Sequence, residues 1–363
     1  MAITSIKIMN VMVFQRQWRK NNNDIQNGNN HISDAFEVNF SDGINVLIGE
    51  NGIGKTTLLK MIYAASQWSN EHTDVGKTNQ FIKFFSNDLK DSDMLKNSDS
   101  PRDYSFFEVS DGQHTFTYSL SHKGILNFGE WLGLNIQSVY IPTTEMLSHS
   151  KGFLALNQKY HNMPFDGTQV DIIVNASLPE VREIPLRMQG ILDKISQVID
   201  GTVIQEDDIF YVLKKDGRKV DFSLEAEGLR KLGLLWKLIR NGLIEKDTIL
   251  LWDEPEANLN PELFPLVAEI LLELQKNGVQ IFVATHSYNF AKYLEILRNE
   301  EEQVQFHNIY KGISEVYDEG KDSLKDIRGS STVCCSSAYT LEKLGPNHIM
   351  AADIELLDRI YDL

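Results

Sequence analysis

Residues 49–57 are rich in glycine and read Gly49-Glu50-Asn51-Gly52-Ile53-Gly54-Lys55-Thr56-Thr57. They fit the pattern G-x-x-x-x-G-K-[ST], in which backbone N–H groups of a glycine loop and of the helix after it surround phosphate oxygens. The residues before the loop, 44–48, are apolar and mostly β-branched apart from Asn45, which is typical of a buried strand. Apolar residues after the loop recur at helical spacing. A strand, a glycine loop and a helix in this order predict a nucleotide phosphate site.

Each residue type in this loop suits a particular role in binding phosphate or its metal ion. Glycines let the backbone approach phosphates without a Cβ in the way. Lys55 is expected to reach the β- and γ-phosphates, the Thr56 hydroxyl to ligate Mg²⁺, and the Thr57 hydroxyl to lie near the α-phosphate. The alternative interpretation is a chance glycine turn, and the flanking strand and helix argue against it.

Length and charge narrow the class of protein. The chain has 363 residues and is 42% hydrophobic, enough for a sizeable core in one large domain or two ordinary ones. It carries 35 basic and 51 acidic residues, a net charge of −16. Proteins that coat phosphate backbones are normally basic, so direct nucleic-acid binding is disfavoured, although a local basic patch stays possible.

Cysteine usage and hydropathy predict a cytoplasmic protein. The two cysteines, Cys334 and Cys335, are neighbours in sequence, which is unusual for a structural disulfide and typical of a reduced compartment. The N-terminal residues lack the charged and then apolar pattern of a signal peptide. No run of 18 apolar residues occurs, so we expect no membrane span.

Hydrophobic periodicity predicts the remaining elements in outline. We expect strands, hairpins and helices, with a loop at 21–31, a flexible or partly helical excursion over 73–101 and no assignment at 145–175. The predicted strands and hairpins are 4–14, 35–40, 104–120, 139–142, 210–222 and 303–317, the last turning at Lys311-Gly312. The predicted helices are 179–200, 229–241, 262–276 and an amphipathic helix near the end of the chain.

A second chemical signal is the apolar run 248–252, which ends in Asp253-Glu254-Pro255. An apolar run without alternation is typical of a strand buried on both faces. Ligands of doubly wound sheets lie beyond the carboxyl ends of the strands, so both carboxylates are expected beside the phosphate loop. Asp253 would then hold Mg²⁺, directly or through water, and Glu254 would act as the general base. Without the phosphate loop, a simple acidic turn would be an equally good interpretation.

A third signal follows the next predicted strand, 279–284, where His286 comes two residues after its end. A histidine at this edge of the sheet is expected to contact the γ-phosphate. The alternative is a histidine with a purely structural role.

Four segments in combination resemble the ABC-type ATPases, in the branch of the SMC, RecF and OLD heads. They are 49–57, Asp253-Glu254-Pro255, 258–261 and 284–287. The resemblance implies an AAA family ATPase that hydrolyses ATP to ADP and phosphate with Mg²⁺. It implies an α/β fold: a P-loop NTPase, an ABC-ATPase head with a doubly wound sheet core, an antiparallel β subdomain and an inserted helical subdomain. The ATPase domain would span 1–320, with its core at 1–66 and 243–320 and the inserted β/helical lobe at 67–242. Residues 321–363 would form a C-terminal extension.

In that family two heads enclose two ATP molecules, and each phosphate loop faces the partner's signature segment. The resemblance therefore implies a homodimer or higher homo-oligomer. Here the signature is eroded at 225–233: Gly228 matches, but Ala226 stands where a serine is usual. Arg230 or Lys231 would compensate, or would lie on a solvated helix face. Thr143 stands at the usual glutamine position, so we expect slow hydrolysis and ATP acting mainly as a conformational latch.

Residues 225–233 and 252–261 are also similar to bacterial ATPases of anti-phage modules such as PARIS, Septu and retron systems. Those ATPases act with a separately encoded nuclease or toxin effector. Residues 287–363 are too few for the Toprim nuclease that follows the ATPase in OLD proteins, so any effector is expected in another chain. The sequence thus favours a nucleotide-dependent oligomeric switch in antiviral defence.

Two alternatives differ in class. One is a RecF- or SMC-like DNA-repair ATPase that binds DNA, which the net charge disfavours. The other is a transporter ATPase subunit, which needs an intact signature and a coupling glutamine, and both are missing.

Overall fold

A computed structural model describes residues 1–15, 17–20, 31–70, 80–86, 92–98, 104–127, 129–160, 163–300, 302–313, 316–318, 323–325, 331–345 and 348–361. Its strands are β1 (Ser5–Met9), β2 (Gln17–Lys20), β3 (His31–Asp34), β4 (Phe36–Asn39), β5 (Ile44–Gly49), β6 (Phe106–Ser110), β7 (Thr115–Ser119), β8 (Gly124–Asn127), β9 (Ser138–Ile141), β10 (Gly201–Glu206), β11 (Ile209–Lys214), β12 (Lys219–Asp221), β13 (Ile249–Asp253), β14 (Gln280–Thr285), β15 (Val304–Ile313), β16 (Val316–Asp318), β17 (Ser323–Lys325) and β18 (Ser331–Ala338). Its α-helices are α1 (Lys55–Gln67), α2 (Gln80–Lys83), α3 (Phe153–Lys159), α4 (Gly167–Ala176), α5 (Leu186–Val198), α6 (Glu227–Arg240), α7 (Phe264–Lys276), α8 (Tyr288–Leu297) and α9 (His348–Tyr361). Of the predicted loop at 21–31, residues 21–30 lie outside the described residues and His31 begins β3. Of 73–101, only 80–86 and 92–98 are described, and they contain the short helix α2.

A central six-stranded sheet carries the predicted site at one edge. Its order is β18-β15-β5-β14-β13-β9, and only β18 is antiparallel to its neighbour. Every residue of β5, β13 and β14 is buried, because successive side chains enter hydrophobic cores on opposite faces of the sheet. This is why these segments read as continuous apolar runs. The predicted α/β class with a doubly wound sheet core is confirmed.

A second, antiparallel sheet covers one face of the central sheet. Its order is β4-β1-β6-β7-β8, and its apolar side chains share a core with helix α1. The predicted hairpin over 104–120 is confirmed as β6 and β7, which turn at Asp111-Gly112 with Gly112 at φ 93°. The chain enters this sheet on both sides of the phosphate loop, so the loop lies where the two sheets meet.

The hydrophobic core on the other face of the central sheet contains the helical lobe. Helices α4, α5 and α6 pack with the three-stranded sheet β10-β11-β12. The helical spacing over 179–200 is predicted to be broken or started at Pro185, and α5 begins directly after this residue, at Leu186, with Pro185 as its extended N-cap. The unassigned residues 145–175 contain α3 and α4, and Asp166 begins α4 with a capping box.

The closing hairpin predicted at Lys311-Gly312 is wrong. Strand β15 continues through both residues, pairing parallel with β5 and antiparallel with β18. Gly312 lies inside the strand and not in a turn, and a Cβ there would lie 2.7 Å from the Cys334 sulfur, so the adjacent strand approaches closely at this position. The predicted domain boundaries stay a prediction, but β9 from the predicted lobe and β18 from the predicted extension both belong to the central sheet.

The final helix is confirmed as α9, and its apolar residues Ile354, Leu356, Leu357 and Ile360 are exposed. Across the described segments, none of the helices combines the length and apolar character that crossing a membrane requires. Cys334 and Cys335, on strand β18, are both free thiols.

Two partly buried contacts fix helix α1, which follows the phosphate loop, against helix α4 of the lobe. Lys60 Nζ lies 2.6 Å from the Asp166 carboxylate, and the Tyr63 hydroxyl donates to Asp171 Oδ2 at 2.9 Å. Burial raises the pKa of Asp171 to about 6, and the hydrogen bond from Tyr63 opposes that shift only partly.

The raised pKa of Asp171 predicts a pH dependence of stability. Between about pH 4 and pH 6 the folded protein holds a proton that the unfolded chain releases, so this group's contribution to the unfolding free energy falls as pH rises. The rise in the pKa of this carboxyl from 3.8 to about 6 corresponds to about 3 kcal/mol. Asp171→Asn keeps an acceptor for Tyr63 and does not ionise, so its stability relative to wild type is expected to rise by roughly 2–3 kcal/mol between pH 4 and pH 7.

Urea unfolding of both proteins at pH 4.5, 5.5 and 7 measures this difference. The exposed Asp193→Asn serves as the control. If the unfolding free energy of Asp171→Asn, like that of Asp193→Asn, differs from wild type by the same amount at every pH, the assignment of this pH dependence to Asp171 is wrong.

Candidate nucleotide-binding site

The glycine loop connects β5 to α1 as the sequence predicts. Gly52 and Gly54 have φ values of 76° and 105°, in the left-handed region that favours glycine. A Cβ on Gly54 would also lie 2.6 Å from the ring of Phe14. Gly54 is the N-cap of α1 and makes no side-chain cap, so the first-turn N–H groups of the helix face the loop. This is the local geometry that binds phosphate.

Lys55 lies across the inside of the loop. Its ammonium donates to the carbonyls of Gly49 at 2.6 Å and Glu50 at 2.9 Å, and the side chain is buried. Burial lowers the pKa of Lys55, while the carboxylates of Glu254 and Asp253 oppose that shift. The ammonium is therefore held in place beside both predicted carboxylates.

The other loop residues fall into two groups. Glu50, Asn51 and Thr56 are exposed, whereas Ile53 and Thr57 are buried. The Thr57 hydroxyl lies 3.6 Å from the Met12 sulfur, so its predicted place near the α-phosphate stays a prediction.

Asp253 and Thr56 meet directly. The Thr56 hydroxyl donates to Asp253 Oδ2 at 2.9 Å, and the buried Tyr140 hydroxyl lies 3.3 Å from the same oxygen. Thr143, at the expected glutamine position, also hydrogen-bonds Asp253. Burial raises the pKa of Asp253, and these hydrogen bonds oppose the shift. Carboxylate and hydroxyl oxygens side by side are the donor set that Mg²⁺ prefers, so the residues present fit the predicted ion.

Glu254 and His286 form the outer part of the site. Strands β13 and β14 are paired in parallel, and Glu254 Oε1 lies 3.3 Å from His286 Nδ1. Both side chains are partly exposed, at 25% and 44%, so a water molecule and a phosphate can reach them. Glu254 has φ 49°, an uncommon backbone conformation for a non-glycine residue that is often found at functional sites.

Sequence reasoning missed a third carboxylate. Glu256 is buried, and its Oε1 accepts from the Thr285 hydroxyl and from the His286 backbone N–H. Its Oε2 is buried without a hydrogen-bond partner, and burial raises the pKa of the group. The available signal was the second glutamate of Glu254-Pro255-Glu256, because a carboxylate that close to the strand end also lies at the site.

The signature region packs against the carboxylate loop of the same chain. Helix α6 begins at Glu227, two residues before the predicted start, and its N-cap Ala226 makes no side-chain hydrogen bond. A Cβ on Gly228 would lie 2.8 Å from the Asn258 carbonyl oxygen and 3.0 Å from Leu259 Cα. Close packing within one head therefore already requires this glycine.

The suggestion that Arg230 or Lys231 lies on a solvated face is wrong. Arg230 forms an ion pair with Glu145 at 3.1 Å. Lys231 is 2% exposed, and its ammonium donates to the Glu254 carbonyl at 3.0 Å. Both cations face the interior of their own head.

A glycine loop at a helix N-terminus, with two carboxylates at the end of a parallel strand two places away in the same sheet, is the arrangement of a P-loop nucleotide site. Two models of AAA domains match consecutive parts of the chain: one described as "AAA domain" at residues 5–147, and one described as "AAA domain, putative AbiEii toxin, Type IV TA system" at residues 133–291.

Curated relatives include an import ATP-binding protein and a DNA replication and repair protein. The L-cystine import ATP-binding protein TcyN of Bacillus subtilis is 32% identical over 142 residues, covering 34% of this chain and 55% of that protein. The DNA replication and repair protein RecF of Streptococcus gordonii is 26% identical over 194 residues, covering 53% of this chain and 51% of that protein. The chain thus spans about half the length of these relatives.

Among solved structures, the SMC head domain from Thermotoga maritima aligns over 93% of this chain and 99% of that chain. The sequence identity is 15% and the TM-score is 0.43.

Proposed function

We propose that this protein binds ATP with Mg²⁺, hydrolyses it slowly, and acts as a nucleotide-dependent oligomeric switch that controls a separately encoded nuclease or toxin effector in bacterial antiviral defence. The observation that carries the ATPase part is the convergence at one sheet edge of Lys55, Thr56, Asp253, Glu254 and His286.

Each side chain has a role that its position supports. Thr56 and Asp253 would hold Mg²⁺, which supplies charge neutralisation to the phosphates when bound. Lys55 would bind the β- and γ-phosphates. Glu254 would accept a proton from the attacking water, and His286, 3.3 Å from Glu254, would contact the γ-phosphate.

Two observations support this proposal: one concerns contact between subunits and the other concerns the effector. The N-terminus of α6 has no side-chain cap, so its first-turn N–H groups are available to a partner's phosphate. The description of the model matched at residues 133–291 names a putative toxin of a type IV toxin–antitoxin system, which connects this kind of domain with a toxin system.

The switch is tested with Glu254→Gln, which should hold ATP without hydrolysing it. Light scattering coupled to size exclusion, with and without MgATP, is expected to show a larger assembly only with ATP. Purification of the tagged variant from its native host should recover an effector protein in an ATP-dependent way. An unchanged mass and the same co-purifying proteins in both conditions would contradict the switch.

The second candidate is a DNA-repair ATPase, favoured by the similarity to RecF over 53% of the chain. It predicts that duplex or single-stranded DNA raises the ATPase rate several-fold. The net charge of −16 supports the first proposal, since DNA binding depends on cationic contacts to phosphate. A DNA-stimulated rate would favour this candidate over effector control.

A further inference from the structure

Helix α6 and the carboxylate loop, defined as residues 253–259, are joined by three contacts within one head. Asn258 Nδ2 donates to Glu227 Oε1 at 2.9 Å, at the first residue of the helix. One residue on, Gly228 packs against the backbone of Asn258 and Leu259 too closely for any side chain. The third contact is the hydrogen bond from Lys231 to the Glu254 carbonyl. The N-terminal turn of α6 therefore cannot shift without moving this loop.

Lys231 is the contact that reaches the hydrolytic residue itself. Its side chain is 2% exposed, and the Glu254 carbonyl that it binds also accepts the Ala257 N–H at 3.1 Å. The Glu254 N–H in turn donates to Ala284 at the end of β14, at 2.8 Å. Hydrogen bonds on both sides of the residue thus support a backbone conformation, φ 49°, that is intrinsically unfavourable for a glutamate.

The charges around Lys231 favour the same arrangement. Burial lowers the pKa of the Lys231 ammonium, and nearby carboxylates, foremost Glu256 and Glu227, oppose the shift. The buried ammonium is thus stabilised by the field of nearby carboxylates as well as by its hydrogen bond to the Glu254 carbonyl. Lys231 is therefore a fixed support for the loop.

We propose that Lys231 is a positioning residue for Glu254: it fixes the main chain of the general base and couples the N-terminus of α6 to it. This inference rests on the proposed ATPase function and extends it. Contact of a partner's nucleotide with the N-terminus of α6 would then set the position of Glu254 in the same head. Hydrolysis would respond to assembly through Lys231, with no loss of nucleotide binding at Lys55.

The test is Lys231→Met, which removes the ammonium and keeps most of the buried volume. We expect kcat for ATP to fall about 10–100-fold, the value of a charged hydrogen bond, with the affinity for MgATP and KM changed less than threefold. The matched control is Lys237→Met on the same helix, where the lysine is 5% exposed and pairs with Glu180 at 2.9 Å. It should lower the melting temperature similarly and leave kcat within threefold of wild type.

Equal kcat losses in the two lysine variants, or a loss of MgATP affinity that accounts for the effect in Lys231→Met, would overturn the inference. If Lys231→Met does not fold, Gly228→Ala decides, because it pushes α6 away from the same loop. Its control is Gly190→Ala in α5, where a Cβ meets nothing within 4 Å. Gly228 is also expected at the subunit interface, so the glycine variants are compared at equal extents of assembly.

If kcat falls in Gly228→Ala and not in the control Gly190→Ala, the inference is supported. If the two glycine variants have equal kcat values, it is contradicted. Absence of ATP hydrolysis in the wild-type protein would instead refute the proposed function itself. The two failures are therefore distinguishable.

Discussion

Replacing Glu254 by glutamine is expected to reduce the rate of ATP hydrolysis by roughly 10²–10⁴-fold, the range for removal of a general base. Glutamine has nearly the same shape as glutamate and keeps an oxygen for the contact with His286 Nδ1 at 3.3 Å. It cannot accept a proton from water at neutral pH. Lys55, Thr56 and Asp253 are untouched, so binding of MgATP should stay within a few-fold of wild type.

Single-turnover hydrolysis and equilibrium binding of MgATP separate these two effects. Glu262→Gln is the control, since Glu262 is exposed and lies beyond the carboxylate loop. Hydrolysis by Glu254→Gln within threefold of wild type would show that another group activates the water. A parallel loss of binding would show that Glu254 holds the nucleotide or its metal ion.

The site residues that could be predicted from sequence are those at the carboxyl ends of the predicted parallel strands. In a parallel sheet the carboxyl ends of all strands lie at one edge, so a glycine loop after β5 and carboxylates after β13 were expected at the same edge once both strands were recognised. The contact between Thr56 and Asp253, 197 residues apart, also requires the strand order, in which only β14 separates β5 from β13.

The residues that sequence reasoning missed depend on packing between elements that no local pattern relates. In the sequence, Lys231 has the spacing of a lysine on the surface of a helix. Only the packing of α6 on the carboxylate loop shows that it is buried and bonded to Glu254. Tyr140 reads as one apolar residue of a short strand, and its hydroxyl acquires a role only when β9 pairs with β13. Gly312 was misinterpreted for a related reason: a glycine serves a turn or a close approach, and only the neighbouring strand decides which.

His307 is expected to make the folded protein sensitive to acid. It is fully buried on β15, with Nδ1 2.8 Å from the Ser337 hydroxyl and Nε2 3.2 Å from Asn45 Oδ1. Asn45 Nδ2 donates to the Ser41 carbonyl, so its Oδ1 faces the ring and Nε2 carries the proton of a neutral imidazole. Burial lowers the pKa of His307 to about 3.

The sign of the effect follows from this lowered pKa. Below about pH 6.5 the unfolded chain binds a proton that the folded protein excludes, so the unfolding free energy falls as pH decreases. The loss approaches about 1.4 kcal/mol per pH unit, which is about 2 kcal/mol at pH 5 and about 5 kcal/mol near pH 3. Above pH 6.5 the contribution is complete and constant.

His307→Gln isolates this group, because glutamine keeps an N–H for Asn45 and does not titrate. We expect it to cost about 1–2 kcal/mol at pH 8, through the lost acceptor for Ser337, and to lose less stability than wild type between pH 7 and pH 5. Urea unfolding over this range measures the slopes, with the exposed His149→Gln as the control. Parallel curves for wild type and His307→Gln would place the acid sensitivity elsewhere, whereas a shallower curve for His307→Gln alone identifies the central sheet, which also carries the nucleotide site, as the part of the fold that acid destabilises.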